Sequence, residues 1–102
     1  MNEMNIIGEM FEVISEVSDE VGEQKLRDGK YIIKYEGWSA TCMPSLLRCE
    51  QAITNYALRK SVEVHAEWRN DMAERGYVLV EEGHDKHQGL YGVTYALYCK
   101  RA

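Results

Sequence analysis

Proline occurs once, at Pro44, and phenylalanine once, at Phe11. Apolar residues are nonetheless spread along the whole chain at 45%, so a disordered or low-complexity state is a poor description and a real core is expected. No run of 18 uncharged apolar residues exists, so no stretch is expected to span a membrane. Cysteines number three, Cys42, Cys49 and Cys99, an odd count that does not suit a disulfide scaffold. The start, Met1 to Asn5, lacks the basic leader and apolar stretch of a secretory signal, and a reducing cytoplasm is the expected compartment. Phosphate-cradling glycine loops are missing, as are Gly-x-Ser-x-Gly and His-Glu-x-x-His. Nucleotide-dependent and hydrolytic activities therefore lose their support; the expectation is a non-enzyme without a cofactor.

One further absence is informative. Residues 1–24 contain no lysine or arginine, yet hold Glu3, Glu9, Glu12, Glu16, Asp19, Glu20 and Glu23. The overall charge of −5 thus divides into a strongly acidic first quarter and a nearly neutral body. Such a segment repels phosphate backbones and favours docking on a basic surface.

At 102 residues the chain reads as one domain, 1–102. Met4, Ile7, Met10, Phe11, Ile14, Val17 and Val21 recur at helical spacing, which predicts an acidic amphipathic helix within 1–28, running over 4–26. Asp28-Gly29 is its stop signal. The β-branched and aromatic run Lys30 to Tyr35, a turn at Glu36-Gly37 and alternation through Trp38 to Cys42 predict a hairpin at 30–43. Pro44 suits a first helical turn, and a drifting apolar stripe carries helix over 44–75. A straight helix of that length would span about 48 Å, so a bend or break near Lys60-Ser61 is expected. Alternation in Val62, Val64, Ala66 and Trp68 keeps a strand at 62–68 open, although Gly76 looks like a helix cap. Tyr77 to Glu81 and Leu90 to Lys100 read as strands of a second hairpin, 77–100, with 83–89 as its loop. The order α-β-β-α-β-β indicates an α+β fold, a four-stranded, mainly antiparallel sheet packed against two or three helices.

Candidate chemistry meets a plain structural reading at each point. His84 and His87 could pair as zinc ligands with Cys42 and Cys49, but the cysteines are seven apart across a helix start, so no metal site is expected. Cys42 precedes a predicted helix N-terminus, which lowers a thiol pKa, yet it shares a strand face with Trp38 and Ala40 and reads as core. The acidic residues Glu9, Glu12, Glu16, Asp19, Glu20 and Glu23 form a helical stripe, either a solvated face or a docking face for a basic protein partner. A small acidic domain of this kind suits a phage or mobile-element inhibitor of a host defence or nucleic-acid enzyme. The alternative is a nucleic-acid-binding module that stacks bases on Tyr31, Tyr35 and Tyr95 with Lys34 on the phosphates. Finally, the apolar stripe of the first helix is wide enough for a homodimer seam.

Overall fold

A computed structural model describes residues 3–17, 21–37, 50–87 and 92–102. Its elements are α1 (Glu3–Val17), β1 (Val21–Leu26), β2 (Tyr31–Gly37), α2 (Glu50–Glu74), β3 (Tyr77–Asp85) and β4 (Val93–Lys100). The strands form one antiparallel sheet in the order β1-β2-β4-β3. The expected α+β order is therefore present, with several of its elements drawn from different residues.

The first helix is shorter than its periodicity predicts. It ends at Val17, and 21–26 form β1 instead of a last helical turn. Two local features oppose helix there: β-branched Val21 and Gly22, the latter costing about 1 kcal/mol against alanine in a helix interior. The decisive gain is pairing, since β1 runs in unbroken register on β2 from Val21↔Glu36 to Leu26↔Tyr31. Residues 27–30 reverse the chain, with Arg27, Asp28 and Gly29 all at positive φ and Gly29 N–H donating to the Leu26 carbonyl at 3.2 Å. Positive φ at both central residues is the turn form that matches strand twist. Asp28-Gly29 thus closes a hairpin rather than capping a helix.

That hairpin also overturns the pairing expected within 30–43. β2 bonds β1 on one side and β4 on the other along its whole length, so neither edge is left for a return strand at 38–42. Residues 38–49, which include Trp38, Cys42, Pro44 and Cys49, lie outside the described residues. From Glu50 the helix is continuous to Glu74, without a break near Lys60-Ser61 and without a strand at 62–68. No glycine or proline interrupts 50–74, and Ser61 turns its hydroxyl back to the Leu58 carbonyl at 3.2 Å, within the helix's own bonding pattern. Gly76 follows at φ 85°, its N–H on the Ala73 carbonyl, as a helix cap.

β3 extends past the predicted strand into residues expected as loop: Gly83, His84 and Asp85 pair with Tyr95, Thr94 and Val93. A bulge between Leu79 and Glu81 keeps both parts of the strand in register with β4.

The two helices lie on opposite faces of the sheet. On one face Ile6, Met10 and Ile14, one turn apart along α1, pack on Ile33, Tyr35, Val93 and Leu97. On the other, Met72 and Trp68 of α2 pack on Ile32, Ala96 and Tyr98. Central strands β2 and β4 are accordingly buried on both sides, which explains the near-continuous apolar run at 93–98. Val93 and Leu97 on one face of β4 and Thr94, Ala96 and Tyr98 on the other are all buried.

Candidate interaction surface

α1 has a simple division of labour. Its inner stripe is fully buried, and its outer face carries Glu12 and Glu16, both exposed, with no basic residue on the helix. Glu9 sits at the flank, where its carboxylate pairs with the guanidinium of Arg27 from the β1–β2 turn. Ser15 donates to the Glu12 carbonyl at 2.8 Å, so its hydroxyl stays within the helix.

The six acids expected as one stripe are not together. Asp19 and Glu20 lie outside the described residues. Glu23 lies on β1 opposite Lys34, with its side chain on the α2 face of the sheet. There Arg75 holds it in a two-pronged contact, Nη1 to Oε1 at 3.1 Å and Nη2 to Oε2 at 3.0 Å, and Lys34 Nζ stands 3.7 Å away. The Arg75 hydrogen bonds hold the Glu23 carboxyl below the usual range, against partial burial that pushes it up. Glu23 thus clips β1 to the end of α2, while Glu9, Glu12 and Glu16 remain as the acidic surface of α1.

The aromatic alternative is also rearranged. Tyr35 is buried, and Tyr31 and Tyr95 pack with it in the layer beneath α1. Phe11 of α1 stands edge-on to Tyr95 with ring centroids 5.3 Å apart. Tyr35 and Tyr95 face each other across the two central strands, and each leans outward over a glycine of the neighbouring edge strand, Gly22 and Gly83. Lys34 projects from the opposite face, toward Asp71 at 3.5 Å and Glu23. These residues therefore form a core row and a separate ion-pair cluster rather than an open stacking platform beside a lysine.

Sequence reasoning passed over a polar cluster between α2 and the β3–β4 end of the sheet. His65 Nε2 reaches the Tyr95 carbonyl at 3.0 Å, and His84 Nδ1 reaches Thr94 Oγ1 at 3.0 Å. Arg69 binds Glu82 at 2.6 Å. Burial pushes the Tyr98 hydroxyl up to about 12, reinforced by Glu82, and pushes the His84 imidazole down. Among the described residues, His84 Nε2, Glu82 Oε2 and Tyr98 Oη have no hydrogen-bond partner. Gly83-His84-Asp85 reads as a polar turn, so nothing in the sequence signals that His84 faces inward. On the same side of the sheet Glu36 is partly buried facing Glu67, and both effects, burial first, raise its carboxyl above the ordinary range.

His84 and His87 separate: His84 is half-buried on β3, whereas His87 is exposed, its N–H on Asp85 Oδ1 at 2.9 Å. Among the described residues no three histidine, cysteine or acidic side chains converge on a metal-sized site. No helix among them is long and apolar enough to cross a membrane. No protein-family model matches the chain, nor does any curated protein or solved structure.

Proposed function

We propose that this protein is a non-enzymatic binding module that acts by surface complementarity on another protein, with the outer face of α1 as its docking surface. The observation that supports the reading is the asymmetry of α1. Ile6, Met10 and Ile14 anchor the helix to the sheet, and Glu12 and Glu16 stand on its solvent side with no cation on the same helix. A rigidly anchored helix presents fixed charges without an ordering cost on binding, which favours fast, electrostatically steered association with a basic partner. A nucleic-acid-handling enzyme, whose substrate groove is basic by necessity, is the partner class that this charge fits. A phage- or mobile-element-encoded inhibitor of a host defence nuclease, acting in the cytoplasm, is the specific form of this proposal.

The test is affinity capture from lysate of the source or its host, with and without nuclease, using wild type and the E12K/E16K variant. One dominant protein that survives nuclease and is lost with the folded E12K/E16K variant is the expected result. Retention of the same partner by that variant removes α1 from the proposal. Recovery that disappears with nuclease transfers the function to nucleic acid.

A further inference from the structure

Among the described residues the sheet has two edges, β1 and β3, and they differ in a way that bears on self-association. An unpaired edge presents a row of free N–H and C=O groups, and proteins protect such edges with bulges and charged side chains. β3 has both protections: the bulge between Leu79 and Glu81, and three acids, Glu81, Glu82 and Asp85, with no lysine or arginine. β1 has neither. It is regular over all six residues and carries one acid and one base, Glu23 and Lys25, two positions apart on one face.

We propose that β1 pairs with β1 of a second copy of this chain across a two-fold axis at Gln24, extending the sheet to eight strands. Backbone groups that point outward alternate along a strand, so outward residues must meet outward residues and the axis must pass through a residue position. With the axis at Glu23 or at Lys25, that residue meets its own like charge. At Gly22, only three residues of each strand pair. At Gln24, five residues of each strand pair, Gly22 meets Leu26, and Glu23 meets Lys25 of the second copy twice. Charge and strand length thus select the same register, and the paired charges are reciprocal, as a two-fold contact requires.

The axis runs normal to the sheet, so both α1 helices lie on one face of the assembly. The dimer does not depend on the α1 docking proposal, but it would present the Glu12 and Glu16 surface in two copies side by side. It places the homodimer contact on a sheet edge rather than on α1, where Ile6, Met10 and Ile14 are buried against the chain's own sheet.

Sedimentation of the full chain tests the pairing. Wild type should run at twice the 11.8-kDa chain mass. K25E puts like charges at both reciprocal pairs and should weaken association roughly 30-fold, with an unchanged circular dichroism spectrum. E23K should do the same, and an equimolar mixture of K25E and E23K should recover dimer mass, because opposite charges then meet throughout. Since E23K also loses its contact with Arg75, a second variant guards against misfolding. Q24C, in a background with Cys42, Cys49 and Cys99 changed to serine, should oxidise to a cross-linked dimer because the axis residue meets itself. Wild type at single-chain mass, a K25E variant as dimeric as wild type, or a Q24C variant that stays uncrosslinked overturns the proposal.

Discussion

Alanine at Gly83 and alanine at Gly8 should change stability in opposite directions. Gly83 lies on β3 directly opposite Tyr95, and a Cβ built there would stand 2.6 Å from the Tyr95 hydroxyl oxygen and 2.9 Å from Cζ. In an open strand, alanine would be favoured over glycine by about 0.5–1 kcal/mol through backbone entropy. Here the ring cannot simply withdraw, because Phe11 stands edge-on against it at 5.3 Å and Tyr35 occupies the neighbouring position on β2. Overpacking of this kind costs about 2 kcal/mol net, which lowers Tm by roughly 10 °C in a domain of this size. At Gly8, on the exposed face of α1, a Cβ would meet nothing within 4 Å. G8A should therefore gain about 1 kcal/mol from helix propensity and raise Tm by roughly 5 °C. Thermal and urea denaturation of wild type, G8A, G83A, Y95F and G83A/Y95F resolves both effects. Y95F removes the 2.6 Å contact and leaves the 2.9 Å one, so it should recover roughly half the G83A loss, a coupling of about 1 kcal/mol. A G83A variant within about 0.5 kcal/mol of wild type, the ordinary scatter of surface substitutions, refutes the packing argument. So does a Y95F change that adds to G83A without any rescue.

Two pH-linked predictions concern the α2 face. Glu23 titrates below its ordinary value because Arg75 binds it, so its contribution is present above about pH 4.5 and lost as pH falls through the lower folded value. Both partners are partly exposed, so R75M should cost at most about 1 kcal/mol at neutral pH, and the gap to wild type should close in acid denaturation series. A gap that persists at pH 2 would assign the loss to packing of the arginine stem. Glu36 is shifted the other way, by burial and by Glu67, so its ionised form opposes folding. E36Q should therefore be more stable than wild type at pH 7, with the advantage shrinking as pH falls toward 4.5 and the wild-type carboxyl protonates. An advantage independent of pH over that range would show that charge is not its origin.

The sequence by itself determined the order of element types, α-β-β-α-β-β, the inward stripe of α1, the strand core at 31–35 (though Glu36-Gly37 continue it where a turn is expected) and the cap at Gly76. Each is legible because it depends on local chemistry: periodicity against one apolar surface, β-branched runs, and a glycine that tolerates positive φ. Tertiary structure decided where α1 stops. Val21 continues the helical apolar spacing, and only β2, which already pairs with β4, offers Val21–Leu26 a complete ladder as the sheet's edge. It also decided the length of β3, where Gly83-His84-Asp85 has turn composition but finds Tyr95, Thr94 and Val93 across the sheet. The acidic stripe illustrates the same limit. Glu9, Glu12 and Glu16 share α1 with helical periodicity, but Glu23 belongs to a strand and faces the other side of the sheet. Pairing partners distant in sequence set that orientation, and a period counted along one segment carries no information about them.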